Sequence, residues 1–452
     1  MFSRIMVANR GEIALRVIRA CKELGIETVA VFSEADRNAG YLHLVDDRIC
    51  IGAAPSSESY LNIPRIIAAA EIADVDAIHP GYGFLAENAH FAEVCRDCKI
   101  EFIGPSVESM RAVGDKIRAK ELAKAARVPI APDSNGAVET VDDAVRAAQR
   151  IGYPVALKAA AGGGGRGIRL AHNEATLKSS FKQAQSEAQI AFGDNRLYLE
   201  KCLTNFRHIE VQILGDTRGN IVHLFERECS VQRRRQKVIE ETPSPALERD
   251  LREEICAAAV RLAKEAGYHN AGTVEFMVDS AGSFYFLEVN ARIQVEHPIT
   301  EMVVGEDLVK WQILIAAGEG LNISQRNLSQ RGHSIECRIN AEDPAFDFRP
   351  SPGKVEAFVA PGGPGVRWDS HVYQGYEIPS TYDSLVGKLV VYRRTRNEAI
   401  ATAMRALSEF VIYPIKTTVP LCKEVLTHEK FVRGQWDTTF IEREMLGGSS
   451  KQ

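Results

Sequence analysis

The chain has 452 residues, 45% of them hydrophobic and 25% charged, which is too long for one core and fits a folded protein of two to four domains rather than a disordered one. Its net charge of -5 gives no electrostatic reason to expect a nucleic-acid partner. No apolar run approaches the roughly 20 residues that a membrane span needs, and MFSRIMVANR enters a strand at once, without a signal-peptide pattern. The nine cysteines are scattered and odd in number, as expected of reduced thiols in a cytoplasm. Cys95 and Cys98 form a lone CxxC inside a helical pattern and read as structural.

Up to about residue 105, short apolar runs (RIMVAN, ETVAVFS, RICIG, DAIHP, EFIGP) alternate with amphipathic patterns such as EIALRVIRACKEL. This alternation predicts βα units on a parallel sheet. The first turn, Asn9-Arg10-Gly11-Glu12, lacks GxGxxG and gives little support to a dinucleotide site. The loop from His79 to Asn88 leaves the carboxyl end of the fourth strand, where open α/β sheets place ligands. Its glycines permit close backbone approach, and Tyr82 offers a flat wall; a purely conformational turn is the alternative.

From Asp115 the pattern changes. Lys116 opens the helix KIRAKELAKAA, where it could reach a phosphate or stand as a solvated lysine. The strand YPVALKAA then runs into Gly162-Gly163-Gly164-Gly165-Arg166-Gly167, and GIRLA returns as a strand. Glycine loses the most entropy on ordering, and no GK[ST] or helix follows. The run therefore reads as a flap whose N–H groups meet anions, with Lys158 at its mouth. LYLEKCL ends a further strand, and HIEVQIL with NIVHLFERE forms a hairpin leading into QRRRQK. In an acidic chain those four cations are expected to line a site for small anions.

Residues 273–301, TVEFMVDSAGSFYFLEVNARIQVEHPITE, are the most informative stretch. Two apolar runs flank Ser280-Ala281-Gly282-Ser283 and predict a hairpin. Pairing Ser280 with Ser283 and counting outward sets Glu275 opposite Glu288. Like charges directly opposite destabilise a sheet, and a divalent cation would remove that penalty. If the chain stays extended beyond Glu288, alternation puts Glu288, Asn290, Arg292, Gln294 and Glu296 on one face: metal ligands, then an anion clamp, then a possible base. Beyond it, the helix EDLVKWQILIAAGEG, the strands around Glu336–Asn340, GVRWDSHV and LVGKLVVYR, and the helices NEAIATAMRALSEFV and TVPLCKEVLTHEKF predict a closing α+β domain.

A metal-holding carboxylate pair, phosphate-reaching lysines, a glycine flap and a cationic anion site together imply ATP-driven activation of a small anionic substrate. ANRGEIA, HPGYGFLAEN, the strand-flanked GGGGRG, FLEVNARIQVEHPITE and ECRINAEDP resemble, in order and over essentially the whole chain, the motifs of biotin carboxylase, an ATP-grasp enzyme. The resemblance implies a Rossmann-like N-terminal domain (1–114), an ATP-grasp domain (115–330) with a mobile lid at about 131–203, an α+β C-terminal domain (331–446) and a short tail (447–452). It implies that ATP and bicarbonate carboxylate N1 of biotin through carboxyphosphate.

Carried over by position, the resemblance makes Lys116, Lys158 and Gly163, Gly164 and Gly165 phosphate-binding, and Glu200, Lys201, Leu203 and His208 part of the adenosine site. Glu275, Glu288 and Asn290 become ligands of Mg2+ or Mn2+. Lys237, Arg292, Gln294 and the Val295 backbone hold bicarbonate. Glu296 deprotonates it, needing only a modestly raised pKa, and Arg338 stabilises the biotin enolate beside Tyr82 and Gly83. Arg235, where many relatives have histidine, falls near the nucleotide. Arg19 and Glu23 match a dimer-contact region, although Pro364 replaces an aromatic there, and a homodimer is expected. No Ala-Met-Lys-Met biotin-attachment signal is present, so biotin would arrive on a separate carrier protein, with a carboxyltransferase as further partner. The subunit of acetyl-CoA carboxylase is the first expectation and that of a pyruvate or other acyl-CoA carboxylase the second. Another ATP-grasp ligase is the alternative enzyme class, and an ATP-binding scaffold the non-enzymatic one.

Overall fold

The computed structural model describes residues 1–161 and 168–447, the Phe192 side chain excepted. The glycine run, with Gly163, Gly164 and Gly165, and tail residues 448–452 lie outside the described residues. The five N-terminal runs are the strands Arg4–Val7, Glu27–Ser33, Asp47–Gly52, Ala77–His79 and Glu101–Phe102. All pair in parallel, in the order third, second, first, fourth, fifth. The order reverses between the first and fourth strands, so the 80–88 loop leaves the sheet at its topological switch point, the usual ligand position.

Residues 131–203 hold a small unit with its own core. The antiparallel strands Ile168–Ala171, Val155–Ala159 and Leu197–Lys201 are backed by the helices Val141–Ile151 and Glu174–Phe192, with Ala144, Leu157, Leu177, Phe181 and Leu199 between the layers. Lys158 pairs with Ile168 on either side of the glycine run, so strands do lead into both of its ends.

Eight further strands form one antiparallel sheet in the order Phe284–Asn290, Asn270–Val278, Arg207–Gly215, Ile221–Arg233, Gln236–Thr242, His333–Asn340, Leu385–Arg393 and Val366–Ser370, and six short ones pair off in three two-stranded sheets. Strand Gln236–Thr242 is the apolar strand expected on the far side of the basic run. The basic run before it is a tight turn, with Arg234 and Arg235 both left-handed (φ 48° and 68°) at its tip, a conformation usually filled by Asn or Gly. Because Gln236–Thr242 pairs with His333–Asn340, a single sheet carries strands from both sides of residue 331.

The central hairpin corrects the sequence reading in two ways. The turn pairs Asp279 with Ser283 through a 2.9 Å hydrogen bond, not Ser280 with Ser283, so Val278, Met277 and Phe276 meet Phe284, Tyr285 and Phe286, one residue out of the expected register. An irregularity between Glu275 and Phe276 leaves Leu287 as the extra residue and restores Glu275 opposite Glu288. Beyond Asn290 the strand ends, and residues 291–296 bend and turn into the helix His297–Val304. The polar residues of that segment therefore converge by chain bending and not by strand alternation.

Candidate active site

The opposed glutamates are neutralised by the protein itself. Lys116 Nζ lies 2.5 Å from Glu288 Oε2. Glu275 is 4% exposed; its Oε1 accepts from Asn290 Nδ2 and Gln294 Nε2, both at 2.8 Å, and its Oε2 faces His208 Nε2 at 2.8 Å. Burial pushes the Glu275 carboxyl up, but Lys237, His208 and Gln294 outweigh it and hold it well below the usual range. His208 is raised: burial lowers it, and the Glu275 charge more than restores it.

Glu296 follows where the chain bends, 2% exposed at the start of the helix His297–Val304. One oxygen accepts from Lys237 Nζ and the other from Arg338 Nη2 at 2.7 Å. Burial acts to raise its pKa, yet Lys237, Arg338 and Arg227 together hold it well below the ordinary carboxylate value. The modest upward shift foreseen for a base is thus reversed, because three cations surround the buried carboxylate. Lys237 also reaches Glu210 Oε2 at 2.6 Å and Glu275 Oε1 at 3.5 Å. Arg338 Nε donates to Glu240 Oε1 at 2.6 Å.

The cations of the basic run take different surroundings, and Arg233 and Lys237 line one small cavity with Arg338. Lys237 enters the carboxylate cluster. Arg233 stacks over Phe348 at 3.8 Å and Arg234 pairs with Asp347 at 3.0 Å. Arg235 is exposed at the hairpin tip, close enough to Cys202 for its charge to act on that thiol.

On the opposite wall, Gly81 sits at φ +63°, where an added Cβ would meet Asn9 and Ile13 at 3.0 Å. Asn9 Nδ2 fastens this loop through the Pro80 and Tyr82 carbonyl oxygens at 2.6 and 2.7 Å. Tyr82 donates to Glu12, Glu12 Oε1 meets Lys388 Nζ at 2.9 Å, and Lys388 donates to the Val295 carbonyl at 2.8 Å. A buried strut thereby ties the Tyr82 loop to the segment that carries Glu296. Gly83 is exposed in the same loop. Arg292 Nε donates to Glu87 Oε2 at 2.9 Å and Nη2 to Asn290 Oδ1 at 3.0 Å.

Toward the small unit, Lys158 and Lys120 hold Glu200 at 2.9 and 2.5 Å. Lys201 turns its ammonium onto the Gly152 and Tyr153 carbonyls at 2.9 and 3.0 Å, and Leu203 follows that strand, partly exposed. Sequence reading missed Lys120, Glu87, Glu12, Lys388, Glu210, Glu240 and above all Arg227. Arg227 is fully buried and donates to Gln212 (2.7 Å), Thr300 (2.9 Å), Thr273 (3.2 Å) and Gln294 (3.1 Å), besides its ion pair with Glu210. An arginine inside NIVHLFERE carries no local mark of burial.

Family comparison matches residues 1–110 to the biotin carboxylase N-terminal domain, 115–324 to the carbamoyl-phosphate synthase L chain ATP-binding domain, and 336–443 to the biotin carboxylase C-terminal domain. Biotin carboxylase 1 of Bacillus subtilis is 52% identical over 450 residues, covering 99% of this chain and 100% of that protein. The chain belongs to the biotin carboxylase family. A pyruvate carboxylase subunit of Methanothermobacter thermautotrophicus is 53% identical, covering 99% of this chain and 91% of its own. The Campylobacter jejuni biotin carboxylase, solved as a β,γ-ATP complex, superposes with TM-score 0.96 at 50% identity, covering 98% and 99% of the two chains. The biotin carboxylase domain dimer of Hydrogenobacter thermophilus 2-oxoglutarate carboxylase, solved with MgADP, ADP and bicarbonate, gives 0.95 at 49%, covering 98% of each. As a member of this family the chain is an ATP-dependent ligase, and carboxylation of biotin with ATP, Mg2+ and bicarbonate is its activity. Glu275, Glu288 and Asn290 fit the metal by their chemistry: they are hard oxygen donors on two adjacent paired strands, with Glu275 directly opposite Glu288, a set that suits Mg2+ or Mn2+.

Proposed function

We propose that the chain carboxylates biotin carried on a separate protein, with Glu296 as the base that acts on bicarbonate and Arg338 as the cation that meets the biotin oxygen. The observation that supports this reading is Glu296 bridging Lys237 and Arg338, because one carboxylate then touches both the bicarbonate and the biotin subsites. In the resting arrangement the two cations keep Glu296 ionised and ready to accept a proton. Bicarbonate drawn to Lys237, Arg292, Gln294 and the Val295 backbone takes over part of that positive charge. Biotin oxygen at Arg338 takes over the rest, and the basicity of Glu296 rises as its partners turn to the substrates. Its carboxylate then removes the bicarbonate proton while the bicarbonate oxygen attacks the terminal phosphorus of ATP and ADP departs. Carboxyphosphate releases carbon dioxide and phosphate beside Tyr82 and Gly83, and biotin N1, losing its proton to that phosphate, attacks the carbon dioxide.

Lys116, Lys158 and Gly163–Gly165 serve the phosphates, and Glu200, Lys201, Leu203, His208 and Arg235 the nucleoside side. Lys201 acts through its backbone, since its ammonium is tied to carbonyls. A metal at Glu275, Glu288 and Asn290 would neutralise charge on the phosphate oxygens. The proposed domains are 1–114, 115–330 with a lid at about 131–203, and 331–446, with the tail at 447–452. A homodimer in the cytoplasm, a biotin carboxyl carrier protein and carboxyltransferase subunits complete the proposed assembly. Acetyl-CoA is the first proposed final acceptor, with pyruvate or another acyl-CoA as the second. ATP turnover with a biotinylated carrier, followed by transfer assays with each acceptor, tests the reading; turnover indifferent to biotin would overturn it.

A further inference from the structure

Beside Arg338, the sheet sets two glutamates directly opposite each other. Glu240 of strand Gln236–Thr242 pairs with Glu336 of strand His333–Asn340, so their side chains share a face with Cβ atoms about 5 Å apart. Both are 0% exposed. Glu240 Oε1 accepts from Arg338. Glu240 Oε2 and both Glu336 oxygens have no hydrogen-bond donor among the described residues. An ionised carboxylate buried without a donor is among the costliest arrangements a protein can hold, and it takes up a proton instead.

The charges facing the pair lead to the same conclusion. Arg338 and Lys237 bring two positive charges, and Lys388 a third from the neighbouring strand Leu385–Arg393. Lys388 is itself bound to Glu12, and Lys237 to Glu210 and Glu296. The helix His297–Val304, packed over this face, adds His297, which burial keeps neutral, and Glu301, which is bound to Arg16 and Arg367. If Glu240, Glu296 and Glu336 were all ionised, Arg338 would sit among three negative charges, and little positive potential would reach a bound substrate. Burial, the largest influence, raises both carboxyls: Glu240 to about 7, and Glu336 well above its ordinary value.

We propose that Glu240 and Glu336 form a carboxyl pair that retains a proton at neutral pH, held on Glu336, and that they are positioning residues which aim Arg338 and preserve its positive charge for the biotin oxygen. The role, though not the proton, rests on the biotin contact proposed for Arg338. Raising the pH removes the proton and adds a negative charge beside Arg338, so the specificity constant for biotin falls on the alkaline side.

Infrared spectroscopy of the full unliganded chain at neutral pH should show a protonated-carboxyl C=O band that shifts on 13C-glutamate labelling and is missing in Glu336→Gln. Labelling the wild type identifies a glutamate, and loss of the band in Glu336→Gln separates it from Glu12, whose carboxyl burial also raises. In the same Glu336→Gln variant, the alkaline fall in kcat/KM for free biotin, about tenfold per pH unit past the pair's last ionisation in the wild type, should flatten while KM for ATP stays the same. Absence of the labelled band would overturn the protonated pair. A band lost in Glu336→Gln with an unchanged biotin pH profile would overturn the positioning role. No biotin-dependent turnover by the wild type would overturn the proposed function and this role together, leaving the band as evidence of the proton alone.

Discussion

Replacing Glu296 by Gln keeps the shape and removes one negative charge from a site where Lys237 and Arg338 meet it directly and Arg227 acts from nearby. The cations keep other partners, Lys237 at Glu210 and Arg338 at Glu240, so the fold should survive. The proton acceptor does not survive. A positioned base contributes about 10²- to 10⁴-fold, equivalent to about 3–5 kcal/mol of barrier. We therefore expect biotin- and bicarbonate-dependent ATP turnover to fall by at least about a hundredfold, with ATP binding retained. The pH profile sharpens the prediction. The Glu296 pKa lies well below the ordinary carboxylate value, so in the free enzyme the base is ionised throughout the neutral range. It loses activity only when the pH falls through that depressed value. Accordingly kcat/KM for bicarbonate should show no Glu296 limb between about pH 6 and 8. Turnover of Glu296→Gln within a few fold of wild type, or a wild-type limb near neutrality that the substitution removes, would refute the reasoning.

Arg227→Met should cost about 3–5 kcal/mol, because it strips a fully buried charge from Glu210 and four further acceptors; chemical denaturation measures it, and a loss below about 1 kcal/mol would contradict the network. Lys388→Met cuts the strut between Tyr82 and Val295, and a small misplacement of reacting groups can cost as much as about a hundredfold. Steady-state assays should show kcat/KM for biotin falling at least about tenfold with KM for ATP little changed. Glu275, Glu241 and Asp369 all have depressed pKa values despite burial, each held down by charged or hydrogen-bonding neighbours. Their stabilisation is complete above the unfolded carboxylate pKa of about 4 and is lost as pH falls toward the depressed values. The denaturation midpoint should therefore drop steeply below about pH 4, and a flat midpoint there would contradict these ion pairs.

The N-terminal sheet was legible because each of its five strands is a short apolar run followed by a turn or a helical pattern. The opposition of Glu275 and Glu288 was also legible, though by compensation: the turn is one residue longer than counted, and the bulge at Leu287 takes that residue back. The tight turn into strand Gln236–Thr242 was not legible, because it carries arginines in left-handed backbone where glycine or asparagine would have signalled a hairpin. The gathering of Arg292, Gln294 and Glu296 followed from the residues, but its cause did not, since the chain leaves the strand at Asn290. Arg227, Glu240, Glu336 and Lys388 could not be recognised as buried polar residues: nothing within a strand shows which charged side chains the far side of a sheet and a helix will cover.

The most direct measurement is magnesium-ATP hydrolysis by the purified chain in the presence of bicarbonate, with and without free biotin. Turnover that rises with biotin and vanishes when bicarbonate is removed is the predicted result. ATP bound or hydrolysed with no response to biotin at any concentration would contradict the central claim that Glu296 and Arg338 bring bicarbonate and biotin to one centre.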